Sequence, residues 1–247
     1  MIRKLLRFLK AYALLINPSK MGVFTEIADK TSFDHAFSIS YSQCGEDLAL
    51  LNIFNGRSEG SYIDIGAHHP SRFSVTRRLY DLGWNGVNID ANKDLIKNFQ
   101  TSRPRDINIC AAVGNLNQYE LHIFTEPAIS TTNLIWRDRF LSARNKILKT
   151  EIVRGVRLRE ILDMHFSCRD LDLLNIDIEG SDLEALTSGD FSNLSPERFP
   201  RWILLESTPP LNNVVETESI KYATSLGYQI YCVLPMSTIL KYNSTKL

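Results

Sequence analysis

No run of about 18 apolar residues occurs anywhere in this 247-residue sequence, so no membrane-spanning helix is expected. Net charge is missing as well: 28 Lys and Arg stand against 28 Asp and Glu. A chain with that balance has no broad positive field to recruit DNA or RNA, which argues against a nucleic-acid partner. Cysteines are few. Cys44, Cys110, Cys168 and Cys232 lie far apart with no C-x-x-C pair, so neither a zinc-ligand set nor a disulfide framework is indicated. Reduced thiols in a cytoplasmic protein are expected. No internal repeat or low-complexity segment is present.

What is present suits one large domain. Hydrophobic residues make up 44% and charged residues 23%, enough for a sizeable core under an ordinary polar surface. The first 40 residues read separately, as a helix and linker before a domain over 41–247. In "MIRKLLRFLKAYALLINPSK", Ile2, Leu5, Leu6, Leu9, Tyr12, Ala13 and Ile16 share one helical face. Arg3, Lys4, Arg7 and Lys10 share the other. No small-residue cleavage site follows, so a signal peptide is not expected. Residues 1–16 could lie on an anionic membrane, at its inner face, or pack on the domain or on a second copy of the chain.

Beyond the linker the chain alternates. "YSQCGEDLALLNIFN" reads as a turn and helix, "SYIDIGAHH" as a strand, "SVTRRLYDLG" as a helix. "WNGVNIDAN", "RDINICAAVG", "LDLLNIDIEG" and "RWILLEST" read as further strands, separated by helices at "KDLIKNFQTSR", "VRLREILDMHF", "SDLEALTSG" and "ESIKYATSLG". "YELHIFTE" alternates like an extra strand, and "YQIYCVLPMSTILKY" like a closing strand pair. Residues 127–150 show no clear period and read as an insertion or lid. Strands alternating with helices mean an α/β doubly wound parallel sheet, whose ligands bind beyond the carboxyl ends of the strands.

Those ends carry the chemistry. Asp64 and Gly66 end the first strand, Asp90 the second, Asp177 and Glu179 the fourth, and Glu206 the fifth. An acidic residue about 20 positions past the first loop typically accepts both hydroxyls of an adenosine ribose, and Asp90 holds that position; Asn92 is the better cap for the next helix. A dinucleotide loop needs three glycines so that backbone N–H groups can approach a diphosphate. Here Gly66 is followed by Ala67, His68, His69 and Pro70, and proline has no N–H to offer. The loop suits a phosphate-free adenosyl ligand better than NAD, with Asp64 near an ammonium. His68 and His69 diverge, so zinc is not expected; one could act as a base or substrate contact. Asp177, Glu179 and Glu206 could serve as a base, hold a hydroxylated substrate, or bind Mg²⁺ through Asp177 and Glu206.

Six stretches together carry a resemblance: "YSQCGEDL" at 41–48, "SYIDIGAHHPSRFS" at 61–74, "GWNGVNIDAN" at 83–92, "DINICAAVG" at 106–114, "LLNIDIEGSDLEAL" at 173–186 and "WILLES" at 202–207. In this order and spacing the chain resembles the FkbM-type methyltransferases over roughly residues 41–235. The resemblance implies a Rossmann-like class I methyltransferase fold: a seven-stranded, mostly parallel sheet with a terminal reversed hairpin. It implies S-adenosyl-L-methionine as cofactor and O-methylation of a hydroxyl on a sugar, glycan or glycolipid-type acceptor. Gln43, Glu46, Asp64, Gly66, Ser74, Asp90 and Ala111 would then bind the cofactor, and Asp177, Glu179 and His68 would be catalytic. Family members often have Asn-Thr where this chain has Val75-Thr76, which leaves Ser74 but removes an Asn contact. Two rivals stand: a non-catalytic methyltransferase-like binding module, and an NAD-dependent oxidoreductase that would lack its glycine-rich loop. A homo-oligomer is compatible with either.

Overall fold

A computed structural model of the chain describes residues 38–168, 170–207 and 217–243. The chain divides into two units, Met1–Ser40 and Tyr41–Leu247. The amphipathic helix and linker expected before residue 38 lie outside the described residues. None of the described helices is long and apolar enough to cross a membrane.

The second unit is an α/β layer structure. Its elements run α1 (Glu46–Ile53), β1 (Ser61–Ile65), α2 (Arg77–Leu82), β2 (Asn85–Asp90), α3 (Lys93–Ser102), β3 (Ile107–Cys110), β4 (Ala112–Val113), β5 (Gln118–Phe124), α4 (Leu134–Ser142), β6 (Ile147–Val156), α5 (Leu158–His165), β7 (Leu173–Ile176), α6 (Asp182–Thr187), β8 (Trp202–Glu206), α7 (Glu218–Ser225), β9 (Tyr228–Val233) and β10 (Ser237–Tyr242). Seven strands form one sheet in the order β3-β2-β1-β7-β8-β10-β9. All neighbours are parallel except β10, which runs against both β8 and β9. The mostly parallel sheet and the reversed closing hairpin are as expected.

The central strands are apolar because helices cover both sheet faces. Successive side chains of a strand point to opposite faces, and the core divides accordingly. Ile63, Ile65, Leu174, Ile176, Ile203 and Leu205 pack with residues of α5, α6 and α7. Their neighbours Tyr62, Leu173 and Leu204 pack with Leu50 of α1 and Leu79 of α2. The chain leaves β1 toward β2 on one side and returns to β7 on the other, so a crevice opens beyond the carboxyl ends of β1 and β7.

Two expected boundaries move. The strand expected over 105–114 breaks at Ala111, whose N–H still bonds the Asp90 carbonyl; Ala112 and Val113 then turn away to pair with Gly155 and Val156. The lid expected over 127–150 is not wholly irregular either. Ile147–Val156 is a ten-residue strand, antiparallel to β5, in a second sheet of order β4-β6-β5. Its outer face carries the exposed Leu148 and Ile152, so apolar residues fall on both faces and the period is blurred. For the same reason the following helix starts at Leu158, later than expected.

A fully buried arginine anchors the loop after β1. Arg103, just past α3, donates to the Thr76 hydroxyl (2.7 Å), the Ser74 hydroxyl (2.6 Å) and the Pro70 carbonyl (2.7 Å). Its guanidinium also lies 5.1 Å from the Phe99 ring centroid and 5.6 Å from that of Tyr80. Thr76 passes the connection on, donating to Asp64 Oδ2 at 2.6 Å. Arg103→Met would keep the volume and strand these polar partners in the core. We expect a loss of about 3 kcal/mol in urea unfolding; a loss below about 1 kcal/mol would mean that the loop holds itself.

Candidate functional site

A hollow opens at the carboxyl ends of β1, β2 and β7, beside the point between β1 and β7 where the strand order reverses. Gly66, His68, Asp90, Ala111, Asp177 and Glu179 all line it. These are six of the residues singled out from the sequence, and four segments far apart in the chain bring them together. Ala112, Val113 and Leu121 add an apolar wall, and Pro127, Ala128, Ser130 and Thr132 close one side. Those last four come from the 127–150 stretch, which sequence patterning could mark only as an insertion.

The β1 end is tightly constrained. Gly66 has φ of 80°, and a Cβ there would lie 1.8 Å from the Asp177 carbonyl oxygen. Only glycine fits, because the backbone just past β7 runs directly beside it. Two non-glycine residues of the hollow also hold positive φ, His68 at 53° and Glu179 at 52°. Such backbone persists only where its surroundings over-determine it.

Asp90 closes one end. Its Oδ2 accepts the His68 N–H at 2.8 Å and its Oδ1 the Asn92 N–H at 2.7 Å. A carboxylate has about four acceptor sites, so each oxygen keeps one for a ligand. Burial pushes its pKa up to about 6, opposed by those two N–H groups, and the group is ionised at neutral pH. Asn92 caps α3 by accepting the Asp94 N–H, as expected.

Carboxyl groups crowd the other end. Asp177 and Glu179 sit just past β7, in the turn before α6 rather than on the strand. Burial and then the charge of Asp182 push Asp177 up to about 7. Burial and Asp177 push Glu179 up to about 8. Glu206, at the end of β8, does not line the hollow, but burial and Asp177 push it up to about 10. Arg139 of α4 counters both glutamates. Helix α4 is fastened over this turn: Thr131 donates to the Glu179 carbonyl (2.9 Å) and Asn133 to the Gly180 carbonyl (2.9 Å). The Trp136 ring lies where a Cβ on Gly180 would be.

Other expected cofactor residues lie elsewhere. Asp64 is buried behind the loop, accepting from Thr76 (2.6 Å) and Asn175 (2.8 Å). Ser74 is buried on Arg103. Glu46 accepts the Cys44 N–H and the Ser237 hydroxyl, fixing the start of α1, while Gln43 is exposed. None of these four lines the hollow. His69 is structural: its Nδ1 accepts the N–H groups of Ser71 and Arg72 at 3.1 and 3.0 Å. Among the described residues no three acidic, histidine or cysteine groups converge as metal ligands do, so the alternative of Mg²⁺ on Asp177 and Glu206 gains no support. All four cysteines are free.

The family model of the methyltransferase FkbM domain matches residues 64–230. No curated protein matches the chain. Among solved structures, methyltransferase FkbM from Methylobacillus flagellatus KT is 13% identical over 75% of this chain, with a TM-score of 0.44. The chain spans 44% of that protein's length. Precorrin-6y C5,15-methyltransferase from Geobacter metallireducens GS-15 is 12% identical, covering 80% of this chain and 88% of its own, at TM-score 0.42. A TehB-like SAM-dependent methyltransferase from Corynebacterium glutamicum is 11% identical, covering 92% and 100%, at TM-score 0.41.

The raised carboxyl groups have a measurable consequence. Glu206 holds its proton in the folded state up to about pH 10, while the unfolded chain releases it near the ordinary value of 4.5. Stability contributed this way is full at low pH and is lost as pH rises between those values. Glu206→Gln is therefore expected to raise Tm by several degrees at pH 8 and to leave it unchanged near pH 4. An unchanged Tm at pH 8 would show that water reaches this carboxyl.

Proposed function

The chain belongs to the FkbM methyltransferase family, and on that premise we propose that it is an S-adenosylmethionine-dependent O-methyltransferase acting on a sugar, glycan or glycolipid-type hydroxyl. The observation that carries this reading is the polarity of the hollow, with Asp90 at one end and Asp177 and Glu179 at the other. The residues suit the cofactor. Asp90 keeps two acceptor sites for a ribose diol, the Ala111–Val113 wall offers a flat apolar face to a purine, and the carboxyl end suits a cationic amino-acid portion. No diphosphate cradle competes with this assignment, since Pro70 and two histidines occupy the loop.

S-adenosylmethionine, when bound, supplies a methyl group activated on a sulfonium. The protein's part is to orient the acceptor oxygen and take its proton. Asp177, pushed up to about 7, is the base best matched to neutral pH. Glu179, pushed up to about 8, keeps its proton there and can donate to a second hydroxyl of a polyol. The charge of Asp177 raises Glu179, so as Asp177 ionises Glu179 holds its proton the more firmly. In the same reading the protein works in the cytoplasm, and residues 1–16 bring it to the inner membrane face or to a second copy of the chain.

Calorimetric titration with S-adenosylhomocysteine should show micromolar binding, lost in Asp90→Ala, while NADH does not bind. Binding of NADH alone would establish the oxidoreductase rival; binding of S-adenosylhomocysteine without turnover of any glycan acceptor would favour the non-catalytic module. With an acceptor in hand, kcat/KM should rise with pH through about 7 as Asp177 ionises. Asp177→Asn should lower kcat by about 10²-fold or more; a smaller loss with an unchanged pH profile would remove Asp177 as the base.

A further inference from the structure

His68 borders the hollow, and its residue type suggests a base. Its surroundings say otherwise. A neutral imidazole has one donor and one acceptor nitrogen. Nε2 of His68 lies 3.3 Å from Nη1 of Arg72. A guanidinium can only donate, so Nε2 is the acceptor and the ring proton sits on Nδ1. Arg72 is not free to turn away. Its Nη1 and Nη2 donate to the two oxygens of Glu126 at 3.0 and 2.8 Å, a two-pronged pair joining the β1–α2 loop to the segment after β5. Its guanidinium also lies 4.1 Å from the Phe73 ring centroid, and Phe73 stacks against the His68 ring at 6.0 Å. The His68 backbone is pinned from the other side by Asp90. Nδ1 is meanwhile buried, with no hydrogen-bond partner among the described residues. A buried donor left without an acceptor is a standing cost that a ligand can remove.

We infer that His68 is a fixed-tautomer hydrogen-bond donor to the bound ligand. Its Nδ1–H meets an acceptor oxygen or nitrogen of the nucleoside beside Asp90, and Arg72 and Glu126 are positioning residues that hold the tautomer. The identity of that ligand rests on the reading proposed above; the tautomer does not. The inference also removes His68 from the candidate bases, because neither ring nitrogen keeps a free lone pair. Burial, Arg72 and His69 push the ring's pKa down to about 4, against the opposing charge of Glu126, so the ring stays neutral at physiological pH.

Two measurements on the full chain test this. Long-range ¹H–¹⁵N spectra near pH 7 should show His68 protonated on Nδ1 and bare on Nε2. In Arg72→Ala the ring should shift toward the Nε2–H form that water favours. A wild-type ring carrying its proton on Nε2, or on both nitrogens, overturns the inference. The second measurement is titration of His68→Asn and His68→Ala with S-adenosylhomocysteine. Asparagine tolerates positive φ and sets an amide nitrogen near the place of Nδ1, but has no counterpart of Nε2. Binding should return to within about threefold of wild type with asparagine and weaken about tenfold or more with alanine. Equal losses in both variants would overturn the donor role. If the wild type itself binds no S-adenosylhomocysteine, the cofactor reading falls, and the ring spectrum still decides the tautomer.

Discussion

One buried guanidinium organises the ligand-facing end of this sheet. Arg103 comes from the end of α3, yet every side-chain hydrogen bond it makes to the β1–α2 segment lies within residues 70–76. A charge out of water needs its donors occupied, and three of them are spent on that segment. The Thr76 hydroxyl then orders Asp64, and Asn175 of β7 completes the carboxylate's partners. The loop is thus held from behind by α3 and β7, which leaves Gly66, His68 and the Asp90 carboxylate to face the hollow. Asp64 and Ser74 belong to this support, one layer behind the residues a ligand would meet.

The electrostatics of the hollow follow from how each carboxyl is solvated. Asp90 has lost water but gained two backbone N–H groups, so its pKa stops near 6. The carboxyls of Asp177, Glu179 and Glu206 have lost water and gained other carboxyls as neighbours, Asp182 beside all three and Asp177 beside both glutamates, so theirs climb further. Burial raises all four; the difference lies in the partners. One end of the hollow is therefore a fixed acceptor, and the other holds and releases protons near neutral pH. Methyl transfer to a hydroxyl, the proposed reaction, uses both properties.

The stretch between β5 and β6 completes the site from the side. It reaches the acidic turn through Thr131, Asn133 and Trp136, and reaches the β1–α2 loop through Glu126 and Arg72. The exposed Arg72–Glu126 pair adds little stability by itself. Its importance is geometric: it joins two loops that share no strand and fixes which nitrogen of His68 bears the proton.

By itself the sequence determined the alternation of strands and helices, the parallel sheet with a closing strand pair whose reversal the family resemblance implied, and the strand ends where Gly66, Asp90, Asp177 and Glu179 converge. These are legible because period and punctuation are local, and because a parallel sheet obliges its carboxyl ends to share one crevice. Four other things were decided only by tertiary structure. β6 was hidden because apolar side chains occupy both of its faces. Arg103 is only the last residue of an expected helix in the sequence, since nothing in its neighbours announces burial. Asp64 and Ser74 carry the right chemistry but turn away from the hollow, because a buried cation and an asparagine on β7 bind that segment from within. The His68 tautomer depends on a glutamate 58 positions away, Glu126. Contacts between distant segments leave no periodic trace in the chain, and they alone decide which polar groups face a ligand and which are spent holding the others in place.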